Sequence, residues 1–169
     1  MTVVSVGVVV VSGVSGTGKT TVGRALAARL RVPFADGDDR HPPANVEKME
    51  RGEPLTDEDR WPWLDEVGSW LTEHPDGGVI ACSALRRTYR DRLRGCATDV
   101  RFLVLTGDPV LLADRQAHRA GHFMPVSLLA SQLAAYEPLA PDEAGTTVDV
   151  DRSVDDVVRE FLDSRDETT

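Results

Sequence analysis

Gly13-Val14-Ser15-Gly16-Thr17-Gly18-Lys19-Thr20 is the stretch from which the rest of the 169-residue sequence is read. It fits G-x-x-x-x-G-K-[ST], a loop whose backbone amides cradle phosphate. Gly13, Gly16 and Gly18 lack Cβ atoms, so the chain can take positive φ there and turn its N–H groups inward. Lys19 supplies a point charge for the β- and γ-phosphates, and Thr20 offers its hydroxyl to Mg²⁺. The nucleotide-binding set is thus Gly13, Val14, Ser15, Gly16, Thr17, Gly18, Lys19, Thr20 and Thr21. The motif requires a strand before it and a helix after it. Val3 to Val11 is a β-branched apolar run of the kind that forms a strand buried on both faces. Thr21 to Leu30 reads as a helix whose N-terminal dipole points at the same anion.

Length and composition fit one globular domain spanning residues 1–169, with 41% hydrophobic and 28% charged residues. A net charge of −9 argues against nonspecific binding to nucleic acid or to an anionic membrane. The valine run is too short to span a bilayer and has no basic flank. Cys82 and Cys96 lack C-x-x-C spacing and fit a reducing compartment. The expectation is a soluble cytoplasmic protein.

Pro33-Phe34-Ala35 predicts a second strand, ending in Asp36-Gly37-Asp38-Asp39-Arg40-His41-Pro42. Acids at the C-terminal edge of a parallel strand lie where α/β folds bind ligands. Asp36 can then reach Mg²⁺ and Asp38 can accept from a substrate hydroxyl, although Asp-Gly is also a plain turn signal. His41 fits a turn or the core as readily as a ligand site. Residues 43–60 are rich in charge and breakers. Thr56 or Asp57 caps a helix carrying Trp61, Trp63, Leu64, Val67, Trp70 and Leu71, and its tryptophans read as core packing. Arg60, at the start of that helix, is either a clamp for a substrate carboxylate or an ion-pair partner.

Further strands are expected at 78–82, 100–106 and 146–150, and helices at 109–118, 126–136 and from about 154. Arg86, Arg87 and Arg90 follow the third strand on a helix that cannot aim all of them at one site. Arg115 and Arg119 share a helix face. They precede the Gly- and Pro-punctuated segment Ala120 to Pro125, which suits a flap closing over phosphates. The repeated β-α order gives the α/β class with a parallel sheet and right-handed crossovers.

Together these motifs resemble the gluconokinase family (thermoresistant-type gluconate kinases), within the nucleoside-monophosphate and shikimate kinase superfamily. The resemblance runs over about residues 8–160. It is carried by the loop at 13–20, Asp36-Gly37-Asp38-Asp39 with His41-Pro42, Asn45 to Met49, Gly52 to Arg60 and Pro62-Trp63-Leu64. Cys82-Ser83-Ala84-Leu85, Tyr89-Arg90-Asp91 and Gly121-His122-Phe123-Met124 complete it. The P-loop specifies only nucleotide binding; the middle blocks separate gluconate kinases from their relatives. The resemblance implies ATP-dependent phosphorylation of D-gluconate with Mg²⁺ and a homodimer. It implies a three-layer fold around a five-stranded parallel sheet in 2-3-1-4-5 order. A substrate region over about 40–60 and a lid near 115–125 follow. So do Lys19, Asp38, Arg115 and Arg119 as catalytic groups, and Thr20 and Asp36 at the metal. Asp38, His41, Lys48 and Arg60 would bind substrate, with Arg86, Arg90 and His122. Arg86 stands where the family usually has Lys, and the family's Gln-Phe pattern is Gln132-Leu133. The rival expectations are a shikimate-type kinase, a nucleoside-monophosphate kinase, and a switch module that binds ATP and transfers nothing.

Overall fold

The structure is a computed structural model and describes residues 6–118 and 127–167. Five strands form one parallel sheet: β1 (Val8–Gly13), β2 (Phe34–Asp36), β3 (Gly78–Ala81), β4 (Val100–Thr106) and β5 (Gly145–Asp149). Their order is β2-β3-β1-β4-β5, as the resemblance implies. The helices are α1 (Lys19–Leu30), α2 (Pro43–Glu50), α3 (Asp57–Thr72), α4 (Arg87–Arg94), α5 (Pro109–Ala117), α6 (Ser127–Ala135) and α7 (Val154–Asp166). No helix among the described residues is long and apolar enough to cross a membrane.

β1 is the central strand, pairing with β3 on one edge and β4 on the other. Its successive side chains alternate between two cores. Val9 and Val11 pack with Val22 and Leu26 of α1 and with Val157, Val158 and Phe161 of α7. Val8 and Val10 pack with Trp63, Leu64, Val67 and Leu71 of α3 and with Leu93 of α4. A strand covered on both faces needs apolar side chains at every position, which explains the unbroken valines.

The sequence places this strand at 3–11, and the structure corrects it. The ladder starts at Val8 because Gly7 has φ +73, outside the β region, and it runs on to Gly13. Residues 1–5 lie outside the described ones. α1 begins at Lys19, earlier than expected, immediately after Gly18 in the left-handed conformation. Thr56 is the cap of α3. Its side chain accepts from the Asp59 amide while the Asp59 carboxylate accepts from the Thr56 amide, a complete capping box. The breakers in residues 43–60 concealed α2, which starts with Pro43 in its first turn, where a missing N–H costs nothing.

A buried ion cluster ties α4 to the segment before β5. Arg90 and Glu143 each expose only 1% of their side chains, and Arg90 Nε donates to Glu143 Oε1 at 2.8 Å. Arg90 also donates to the carbonyls of Ala84, Leu85, Glu137 and Pro138, and Arg94 donates to Glu143 at 2.5 Å. Burial pushes the Glu143 carboxyl up, but hydrogen bonds from Arg90, the Ala140 amide and Arg94 outweigh it and hold the pKa at about 2. The stabilisation from this carboxylate is therefore present above its ordinary pKa of 4.5 and is lost as pH falls towards 2. Glu143→Ala leaves a buried guanidinium without its counter-charge and should cost about 3–5 kcal/mol in urea unfolding at pH 7. A loss below about 1 kcal/mol would show that the cluster is not the staple described here.

Candidate active site

The C-terminal ends of β1, β2 and β3 converge on one pocket. Its lining includes Ser15, Lys19 and Thr20 from the P-loop, Asp38 and His41 after β2, and Arg60 and Trp63 of α3. Ser83 lies beyond β3, and Leu128, Ser131 and Gln132 come from α6. Met49, Leu55 and Leu128 form a small apolar cluster joining α2, the approach to α3 and α6.

The P-loop has the geometry of an anion cradle. Gly16 has φ +87, and a Cβ there would meet the Leu112 carbonyl oxygen at 2.6 Å. Gly18 has φ +85 and would place a Cβ in open space, so the missing side chain leaves room beside the helix N-terminus. Ser15 is buried, and its Oγ has no hydrogen-bond partner among the described residues, as expected of a group that waits for a phosphate oxygen. The Ser15 amide donates to Gln132 Oε1 at 2.6 Å, which links α6 directly to the loop. Lys19 Nζ donates to the Val14 carbonyl at 3.2 Å, folded back along the loop.

Thr20 Oγ1 donates to Asp36 Oδ2 at 2.9 Å, joining the start of α1 to the end of β2. Two hard oxygen ligands beside the phosphate cradle fit Mg²⁺, which takes few protein ligands and completes its shell with phosphate and water. Among the described residues no cluster of three or more His, Cys, Asp or Glu side chains forms a closed metal cage. Asp36 Oδ1 accepts from the Asp38 amide at 3.0 Å, which holds the turn that brings Asp38 to the pocket. The buried Cys82 thiol is pushed up to about 12, by burial first and by the nearby Asp38 charge second, and stays an inert thiol.

Arg60 is fixed along one edge only. Its Nη1 donates to the Leu55 carbonyl at 2.6 Å and to the Tyr89 hydroxyl at 3.2 Å, and Tyr89 in turn donates to Asp57 Oδ1 at 2.5 Å. Nη1 also lies 4.0 Å from Asp57 Oδ1, an ion pair, and the guanidinium sits 5.2 Å from the Tyr89 ring centre; Nε and Nη2 make no hydrogen bond within the described residues, in a side chain that lines the pocket. His41 stacks on Trp63 with ring centroids 4.1 Å apart, and Trp63 Nε1 donates to the Gly37 carbonyl at 2.8 Å. Trp63 is thus a core residue, as expected, and also the floor under His41. Burial, then Arg60, lowers the His41 pKa to about 4.

Several residues singled out from the sequence lie elsewhere. Arg90 is corrected to a structural role: it is buried in the Glu143 cluster and its donors are taken up there. Lys48 is bonded to Asp59 at 2.6 Å and does not line the pocket, because Asp59 of the capping box claims its charge. Arg86 is exposed at the position preceding α4, with no side-chain capping bond, near Tyr89 but outside the lining. Arg115 lines a second cleft with Thr17, Gly18, Thr21, Val150 and Arg152, and its Nη2 donates to the Val150 carbonyl at 3.1 Å. It is therefore not on the Asp38 side of the loop. Arg119, His122 and most of the expected lid fall outside the described residues. The sequence marks Gln132 and Asn45 only as parts of a pattern. A polar Gln within the otherwise apolar Leu128-Leu129-Ala130 and Leu133-Ala134-Ala135 was the available signal for the first.

The chain is similar to known proteins along nearly its whole length. Residues 15–163 match the family model described as Shikimate kinase. The chain is 50% identical over 156 residues to the gluconokinase of Gluconobacter oxydans (strain 621H), covering 90% of this chain and 88% of that one. It is 43% identical over 155 residues to the thermosensitive gluconokinase of Escherichia coli (strain K12), covering 89% and 83%. The crystal structure of a gluconokinase from Sinorhizobium meliloti 1021 superposes with a TM-score of 0.87 at 45% identity, over 96% of this chain and 93% of that one. With a P-loop, a parallel 2-3-1-4-5 sheet and relatives at this identity along nearly its whole length, the chain belongs to the gluconokinase family of shikimate-kinase-type P-loop kinases.

Proposed function

We propose that the protein transfers the γ-phosphoryl group of ATP to the C6 hydroxyl of D-gluconate, giving 6-phospho-D-gluconate and ADP. The observation that carries this reading is a single pocket lined jointly by Ser15, Lys19 and Thr20 of the phosphate cradle and by Asp38, His41 and Arg60. Donor and acceptor can meet there without either crossing the protein.

Phosphoryl transfer asks the protein for alignment and charge neutralisation more than for covalent chemistry. The P-loop amides and Lys19 hold the β- and γ-phosphates. Thr20 and Asp36 would hold Mg²⁺, directly or through water, and the chemistry supplied there would be neutralisation of phosphate charge. Asp38 orients the acceptor hydroxyl. As the new O–P bond forms and the bond from the γ-phosphorus to the bridging oxygen breaks, the hydroxyl proton passes to Asp38 and ADP leaves. Arg60 pairs its remaining edge with the gluconate carboxylate, and His41 donates to a hydroxyl. The second cleft, with Arg115 and Arg152 over aliphatic Val22, Val154 and Val157, suits a stacked adenine better than a phosphoryl group.

The cations also discriminate among acceptors. Among its described lining residues the pocket carries Lys19 and Arg60, and Lys19 belongs to the nucleotide. One guanidinium edge matches a monoanionic carboxylate, whereas a nucleoside monophosphate brings a dianion. Arg86 and Arg90, which could have served such a dianion, lie outside the lining.

The product is the direct test. Phosphorus NMR of the reaction mixture should show a phosphate monoester coupled to the two protons of a primary carbon; coupling to a single proton would place the phosphate on another hydroxyl. Asp38→Asn should lower kcat by about 10²–10⁴ with unfolding unchanged, and near-normal turnover would remove Asp38 from the proton-accepting role. Arg60→Ala should raise the gluconate KM by about 10- to 100-fold with little change in the ATP KM, as expected on losing a charged hydrogen bond. An unchanged gluconate KM would reassign the carboxylate clamp.

A further inference from the structure

Asn45 sits in the first turns of α2, only 3% exposed, and touches no part of the phosphate cradle in its hydrogen bonds. Its side-chain amide donates to the Asp59 carbonyl oxygen at 2.9 Å. A carbonyl can only accept, so this contact fixes which end of the amide carries hydrogen. The same Nδ2 lies 3.3 Å from Nδ1 of His41. With one amide hydrogen on Asp59, the other points at the imidazole, and Nδ1 has to accept it. A proton on Nδ1 would set donor against donor in a buried site, which costs a desolvated polar group its partner.

We propose that Asn45 is a positioning residue for acceptor recognition: it locks His41 as the neutral Nε2–H tautomer, so that the imidazole presents a hydrogen-bond donor to a substrate oxygen and cannot take a proton from it. This rests on the reading of the pocket as the gluconate site. Stacking on Trp63 fixes the ring plane and Asn45 fixes its rotation and proton. Both constraints act on a residue that lines the pocket. The charged groups that line the same two clefts as His41 are Lys19 and Arg24 from α1, Asp36, Asp38, Asp39 and Arg40 from the end of β2 and its turn, Glu53 between α2 and α3, and Arg60 and Glu66 from α3. Burial, then Arg60, keeps the ring neutral down to about pH 4. A donor that does not titrate near neutrality leaves the hydroxyl proton to a carboxylate of the lining, Asp38 in this reading, and it favours a polyol hydroxyl, which can accept at one lone pair while donating elsewhere.

The tautomer can be read without any substitution. In protein labelled with ¹⁵N at histidine, long-range ¹H–¹⁵N correlations distinguish a protonated Nε2 from a protonated Nδ1, and loss of one ring system in His41→Gln assigns His41. The expected result at pH 7 is a protonated Nε2 with a bare Nδ1, and a shift of the Nε2 resonance on adding gluconate. A protonated Nδ1, or a charged ring, overturns the lock; an Nε2 signal that gluconate leaves unmoved overturns the donor role. Asn45→Asp places a carboxylate, which only accepts, opposite Nδ1. It should invert the tautomer and raise the gluconate KM by at least about 10-fold, the cost of one hydrogen bond, while the ATP KM stays within about two-fold. An inverted tautomer with an unchanged gluconate KM would also overturn the proposal. If Asn45→Asp does not fold, the spectrum of the unsubstituted protein still decides. ATP consumption that never depends on gluconate would instead count against the acceptor assignment, with the tautomer unaffected.

Discussion

Val8, Val9, Val10 and Val11 leave almost no surface to water, because helices cover the strand on both faces, and the phosphate loop follows at its C-terminal end. There the backbone turns through Gly13 into the phosphate loop and re-enters the fold as α1. The loop itself is built of small residues and has little intrinsic rigidity. Its position comes from the strand before it and the helix after it, both anchored in the same core through Val9, Val11, Val22 and Leu26. Loosening that double burial would move the cradle relative to Asp36, whose 2.9 Å contact with Thr20 depends on β2 and α1 keeping their distance.

The acceptor side is assembled differently. β2 contributes a turn whose acids are oriented by its own amides, and α3 contributes Arg60 and Trp63 from its first two turns. α2 supplies Asn45, and α6 supplies Gln132. Hydrogen bonds across long sequence separations stitch these pieces together: Trp63 to Gly37, Asn45 to Asp59, Ser15 to Gln132. Such a site is rigid where aromatic stacking and buried amides hold it, and it leaves donors, namely the free edge of Arg60 and Nε2 of His41, directed by what their other atoms already bind. α6 follows the segment where a lid is expected and also touches the phosphate loop. The Ser15–Gln132 hydrogen bond thus joins α6 to the nucleotide site.

The elements with a strong local signature were legible in the sequence: the valine strand, the P-loop, the capped α3 and the β-α alternation. Each is set by local pattern and backbone chemistry. The start of β1 was misplaced because hydropathy does not register the positive φ of Gly7. α2 was missed because prolines and acids that break a helix interior are tolerated in its first turn and on its solvent face. At the site, Asp36, Asp38 and Arg60 were legible as charged groups at the ligand end of a strand or helix. The arginines were not separable from sequence, since Arg86 and Arg90 differ by one helical turn. One reaches solvent and the other a buried carboxylate 53 residues away. The pairing of Lys48 with Asp59 likewise depends on where α2 lies against the start of α3, and that of His41 with Asn45 on how the turn after β2 enters α2.

Acceptor-dependent release of ADP decides whether the pocket over the phosphate loop accepts a polyol acid. Purified protein with ATP and Mg²⁺ would be compared with D-gluconate, shikimate, AMP, CMP and no acceptor. The account predicts rapid ADP release with gluconate and little above background with the others. Release driven by shikimate or by a nucleotide would contradict the assignment of the pocket. ATP binding without any acceptor-dependent release would contradict the assignment of Asp38 and Arg60 to catalysis and substrate binding.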